Sequence, residues 1–246
     1  MNEPQASAPA LDWSPPDMTL LRQRSWLVAA IAAVASIAGL FFDRAQFFQS
    51  YLVSWLFWLS ITMGCFALMA LHHLTRGAWG LMVRRILEAA TRNLPLLTLL
   101  FVPIVIGLGD LYLWARPEAL GDELIQQKAS YLNATAFTIR SFVYLVVWTL
   151  FAWVLNRFSL EQDKTGDPEL FRKMQLVSAA GLVVFCLLST FASIDWLMSL
   201  DPHWYSSIFG VYYIIGNALA GIAFVIVMAR YLSKREPLRG VLQPRH

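Results

Sequence analysis

Leu176 to Met198 reads L-V-S-A-A-G-L-V-V-F-C-L-L-S-T-F-A-S-I-D-W-L-M, 23 residues with Asp195 as the one charged side chain. A helix needs about 20 mostly apolar residues to cross a hydrocarbon core of about 30 Å. This run therefore reads as a membrane span. Five more stretches qualify: Ser25–Phe42, Tyr51–Leu74, Glu88–Trp114, Ala134–Asn156 and Ser207–Leu232. Each is expected to be helical, because lipid offers no partner to bare backbone groups and the runs are too long for barrel strands. The fold class is thus all-α, a polytopic membrane bundle of six transmembrane helices.

Composition agrees with this. Of 246 residues, 58% are hydrophobic and 14% charged, against about 25% charged in soluble domains; the mean hydropathy is +0.55. A soluble enzyme, a disulfide scaffold, a disordered chain and a nucleic-acid binder are all excluded. The net charge of +3 comes from loop cations facing a membrane surface. Cys65 and Cys186 sit in apolar runs without a C-x-x-C or C-x-x-C-H motif, so no zinc knuckle, cysteine-held iron–sulfur cluster or covalent haem is expected.

Arginine and lysine set the orientation. Fourteen lie on one side: Arg22 and Arg24, then Arg76, Arg84 and Arg85, then Arg157, Lys164, Arg172 and Lys173, then Arg230, Lys234, Arg235, Arg239 and Arg245. Only Arg44, Arg116 and Lys128 occupy the opposite loops. Both termini are expected in the cytoplasm, with residues 1–24 (Pro4, Pro9, Pro15 and Pro16 among them) an irregular polar leader, 25–232 the bundle and 233–246 a basic tail. Pro95 and Pro103 should kink the third span. Pro117-Glu118 starts a short surface helix in the outer loop.

Ionisable residues inside spans are costly and mark candidate sites. Arg140 lies about 9 Å into the fourth span, and Asp195 at a similar depth in the fifth. The two are placed to pair, with Asp110 near enough to join them. Two readings stay open: an ion pair that locks two helices, or a proton-accepting or quinol-contacting site. At the cytoplasmic face stand His72, His73, Glu88 and Arg92, with Arg84 and Arg85 just before. These read either as ordinary headgroup-level residues or as a proton-handling group, since histidine titrates near neutral pH. A bis-histidine haem is not expected, because His203 lies a bilayer away from His72 and His73, and His246 is the terminal residue. Trp55, Trp58, Trp196, Trp204 and Tyr205 read as an outer aromatic belt. Ala35 with Gly39, and Gly216 with Ala220, have the spacing of close helix contacts.

Several stretches together resemble one family: W-L-F-W-L from Trp55, A-L-H-H-L-T-R-G-A-W-G from Ala70, R-R-I-L-E-A-A from Arg84, L-Y-L-W from Leu111, K-A-S-Y-L-N from Lys128, E-Q-D from Glu161, and D-W-L-M-S-L-D-P-H-W-Y-S-S-I-F-G from Asp195. From about Arg22 onward the chain resembles the F subunit of bacterial alternative complex III, a quinol:cytochrome c oxidoreductase. That subunit, also called its second quinone-binding subunit, belongs to the NrfD-like polysulfide-reductase membrane superfamily. The resemblance implies a multi-pass subunit of the bacterial inner membrane that oxidises no substrate alone. It implies partner subunits carrying haem c and iron–sulfur clusters, menaquinol or ubiquinol as the electron donor, and no redox cofactor on this chain.

The resemblance also implies proton half-channels opening on opposite faces. Arg140, Asp195, Asp110 and Tyr144 would serve one and His72, His73, Glu88 and Arg92 the other, with Ser60, Thr62, Thr98, Ser189, Thr190 and Asn217 as relays. Family members usually have ten spans. Six here, ending at Gln243-Pro244-Arg245-His246, imply a C-terminally truncated or fragmentary version of that fold. Three functions follow in order: a proton-conducting scaffold subunit; a quinol-oxidising site with Asp195 as proton acceptor and Arg140 on the quinol oxygen; and a transporter or channel. The last is ranked lowest, because matched Gly/Pro-broken segments are missing.

Overall fold

In the computed structural model, residues 19–77, 80 and 83–233 are described, with the backbone alone at 120. The expected leader prolines, the tail cations from Lys234 onward and His246 lie outside the described residues. The described chain is all-α, with six helices long and apolar enough to cross a membrane. It runs α1 (Thr19–Phe42), α2 (Arg44–Thr75), α3 (Arg84–Thr91), α4 (Leu94–Leu99), α5 (Val102–Ile106), α6 (Leu108–Leu111), α7 (Glu123–Lys128), α8 (Ala134–Thr165), α9 (Pro168–Trp196) and α10 (Phe209–Leu232).

The long helices start where short polar side chains can hold the first free amides. Asp43 accepts from the Gln46 amide at 3.0 Å, Asn133 from Ala136 at 2.8 Å and Asp167 from Glu169 at 2.9 Å. α8 stops at Gly166, whose φ of +67° ends a helix without the penalty a side chain would bring. Hydropathy alone closes the fourth span at Asn156; the Gly166-Asp167-Pro168 stop-and-start signal carries it to Thr165. For a similar reason α9 begins at Pro168 rather than Leu176. α1 begins at Thr19, inside the expected leader.

The third span departs most from expectation. Instead of one kinked helix it is a chain of short ones, with Pro95 in the first turn of α4 and Pro103 in the first turn of α5. At the second break the Phe101 amide bonds the Thr98 carbonyl and the Ile104 amide that of Phe101. Their usual acceptors, the carbonyls of Leu97 and Leu100, are thereby released. Trp55 Nε1 donates to the first at 2.9 Å and the Tyr51 hydroxyl to the second at 2.8 Å. Neighbouring side chains thus restore what the prolines disrupt, the condition for broken helix inside a membrane.

α2 runs through the middle of the bundle, packed against α3, α9 and α10, while α9 also meets α8 and α10. α1 lies against α2 and buries no residue. Lipid provides little hydrophobic drive between helices, so close packing matters. The closest approach is at Gly64 on α2 and Gly221 on α10: a Cβ on Gly64 would stand 1.9 Å from the Asn217 carbonyl oxygen. The small-residue pairs expected to do this do not. Gly216 has nothing within 4 Å, and Gly39 meets only the Phe47 ring at 3.9 Å.

Candidate functional site

Two charged clusters sit at opposite ends of the bundle. In the first, Asp195 on the last turn of α9 is wholly buried. Arg140 of α8 grips its carboxylate with two nitrogens, Nε at 3.0 Å and Nη2 at 2.8 Å. One helical turn further along α8, the Tyr144 hydroxyl donates to the same carboxylate at 2.9 Å. The spacing of 140 and 144 puts both donors on one helix face. Tyr131, from the loop before α8, lays its ring 3.9 Å from the Arg140 guanidinium. Desolvation, and then the charge of Asp195, push the Tyr131 phenol up to about 12, so it stays protonated at physiological pH.

Rings wall this cluster. Trp196 stands edge-on to Trp55 at 5.0 Å and to Tyr144 at 6.1 Å. Its Nε1 donates to Ser141 at 2.9 Å, and its carbonyl accepts from Tyr112 at 3.0 Å. Trp55 and Trp196 are therefore core residues, and the belt reading fails for both. Trp58, Trp204 and Tyr205 are exposed. A groove of about 360 Å³ opens beside the cluster, lined by Tyr131, Met198, Ser199, Trp204 and Tyr205 among others.

Asp110 does not join. It pairs with Arg44 at 2.9 Å, because its helix, α6, faces the start of α2. Nearby, Asp122 caps α7 and receives His203 Nε2 at 2.7 Å. Desolvation works to raise the Asp122 carboxyl, but the Ile125 and Leu124 amides and His203 outweigh it and hold it below the usual range.

In the second cluster Glu88 is 1% exposed. It accepts from Arg84 Nε at 2.8 Å, and from Arg85 and the Ser159 hydroxyl of α8. Arg84 and Arg85 extend in turn to Asp163. Arg92 donates to Asn156 at 3.3 Å, and Asn156 donates to Thr91 at 2.9 Å. His72 and His73 are both buried close by on α2. Glu88 and both histidines thus face the interior of the bundle. Arg92, though, is exposed.

Ser159, Asp163 and Asn156 were not among the expected site residues. Their signal lay in α8 running past Asn156, which puts 156, 159 and 163 on one face. Of the expected relays, Thr62, Thr98 and Thr190 spend their hydroxyls on carbonyls of their own helices. Ser178 Oγ, Ser189 Oγ and Asn217 Nδ2 are buried with no hydrogen-bond partner among the described residues.

Arg140 and Ser159 are nineteen residues apart on α8, about 28 Å along its axis. The clusters thus lie roughly one hydrocarbon thickness apart. Six apolar helices with charge buried at both ends define a multi-pass, helical integral membrane protein. No protein-family model matches the chain, and no curated protein matches it.

Proposed function

We propose that this chain is a membrane subunit of a respiratory quinol:cytochrome c oxidoreductase of the alternative complex III type, set in the bacterial inner membrane. In this reading it scaffolds the complex and moves protons, and binds no redox cofactor of its own. Haem c and iron–sulfur clusters belong to its partner subunits, and menaquinol or ubiquinol supplies the electrons. The motif resemblance supports the family. The observation that carries the mechanism is Asp195, a wholly buried carboxylate held by three hydrogen bonds beside an open groove.

The chemistry follows from charge. Ionised Asp195 is balanced by Arg140. A proton arriving from the groove would neutralise the carboxylate and weaken both bonds from the guanidinium, which retains the Tyr131 ring as a partner. Glu88 and the two histidines supply the matching group on the cytoplasmic face. Between them, unpartnered buried polar atoms at Ser178, Ser189 and Asn217 favour bound water as the link.

A second reading, quinol oxidation at the Asp195 end, is favoured by the same groove, whose volume falls in the range of small-molecule sites. There the quinol hydroxyl would approach within about 3 Å of the acceptor. Purification from native membranes tests the family: multihaem cytochrome and iron–sulfur subunits should accompany the chain. In the intact complex, Asp195→Asn should lower quinol-linked proton movement while assembly persists. Unchanged coupling at normal subunit levels would reject a role for Asp195, and a change in quinol affinity alone would favour the second reading.

A further inference from the structure

A larger groove, of about 720 Å³, lies between α8 and the α3–α4 break, lined by neither Asp195 nor Glu88 but bordering the Glu88 cluster at Thr91, Arg92 and Asn156. Along α8 its lining runs from Thr149 to Lys164, about 22 Å at 1.5 Å per residue. That is the depth of one leaflet with its headgroups, half of a bilayer of about 40–45 Å. The lining changes character along that length. Pro95, Leu150 and Trp153 make the half toward the bundle middle, and Arg92, Arg157 and Lys164 the half toward the helix end, with Glu161 the one carboxylate.

The three cations form no ion pair among the described residues. Arg84 and Arg85 at the same end are tied to Glu88 and Asp163. By contrast, Arg92, Arg157 and Lys164 have no carboxylate partner among the described residues. Arg92 uses one nitrogen on Asn156, and the Arg157 guanidinium rests 5.5 Å from the Trp153 ring. Three cations against one carboxylate leave an excess of two positive charges at headgroup depth, directly below an apolar channel.

We propose that this groove is a binding site for an anionic phospholipid, with its phosphate held among Arg92, Arg157 and Lys164 and an acyl chain lying along Leu150 and Trp153. Basic recesses between spans at a headgroup surface suit such lipids. A zwitterionic headgroup brings its own cation into this basic end. A quinone head carries no charge and makes no use of it. The site shares Arg92 with the cytoplasmic cluster, and its test therefore rests on Arg157 and Lys164, which the proton reading does not use.

Native mass spectrometry of the full chain in detergent tests this, with phosphatidylglycerol and phosphatidylcholine of matched chains and glycerol phosphate as the headgroup alone. The expected result is retention of phosphatidylglycerol about tenfold or more over phosphatidylcholine. The double variant Arg157→Gln/Lys164→Gln should lose that preference with little change in melting temperature, since both side chains are exposed. Arg172→Gln/Lys173→Gln removes the same charge from the same end outside the groove, and should keep the preference. Equal retention of the two lipids would overturn the proposal. So would equal loss of preference in both double variants, or displacement of the lipid by millimolar glycerol phosphate.

Discussion

Asp195 and Glu88 are both buried carboxylates bonded to arginine, but they are held in different ways. Asp195 takes its donors from a neighbouring helix, Arg140 and Tyr144 on α8, inside a wall of tryptophan and tyrosine. Glu88 takes two of its three from the preceding turn of its own helix, Arg84 and Arg85, and only Ser159 from α8. Its arginines also reach Asp163, which is 44% exposed. The Asp195 cluster is closed around a single charge pair. The Glu88 cluster grades outward into solvent, so its charges can be rebalanced from the surface. A closed pair resists loss of one partner poorly, because the remaining charge has nowhere to go.

Removing Arg140 should therefore do the most damage. Arg140→Met leaves Asp195 buried without a cation and should cost about 3 kcal/mol, the low end of the range for a broken buried pair, given that Arg140 is 22% exposed. Thermal unfolding in detergent reads this, and Arg140→Met/Asp195→Leu should recover most of it. A double variant no better than the single would mean the pair is not coupled.

Tyr144→Phe deletes one hydrogen bond to the same charge and should lose about 1.5–2 kcal/mol in the same assay. A neutral result would show that the hydroxyl is dispensable to the closed cluster.

Glu88→Gln should cost less, about 1 kcal/mol, because Arg84 and Arg85 retain Asp163 and water. The contrast sharpens with salt: raising it from 0.05 to 0.5 M (roughly a threefold shorter screening length) should shrink the Glu88 effect and leave that of Arg140 almost unchanged. Equal salt sensitivity would erase the distinction between closed and graded clusters. Under the proposed function, Glu88→Gln should also slow proton uptake by the assembled complex without altering quinol affinity.

The smallest effect belongs to the exposed Asp122–His203 contact. A carboxyl held low in the folded chain stabilises above its unfolded pKa, near 4, and loses that contribution as pH falls through the folded value. The Leu124 and Ile125 amides should therefore lose protection below about pH 4, measured as their exchange rate relative to that of an unstructured amide at the same pH, and Asp122→Ala should show the lowered protection at neutral pH already. Protection indifferent to both changes would remove the cap from the account.

Much of the Glu88 cluster was legible beforehand because its geometry is local. Arginines three and four residues before a glutamate meet it on any helix, whatever the helix packs against. Ser159 and Asp163 escaped because hydropathy falls off at Asn156, although Gly166-Asp167-Pro168 marked the true end of α8. Trp55 and Trp196 misled in the other direction. A tryptophan at a span end suits the interface, and only packing around the α4–α5 break draws Trp55 inward, to the carbonyl of Leu97.

The six spans, their caps and the proline breaks were written in the sequence, because hydrocarbon demands internally bonded backbone and caps act within a turn. Tertiary structure decided which distant side chains meet. Asp110 went to Arg44 and Asp195 to Arg140, and Gly221 rather than Gly216 became the point where α10 crosses tightly, against Gly64 of α2. The reason is rotational: a helix repeats every 3.6 residues, and which face it turns to a neighbour is settled by packing along its whole length, not by any short stretch of residues.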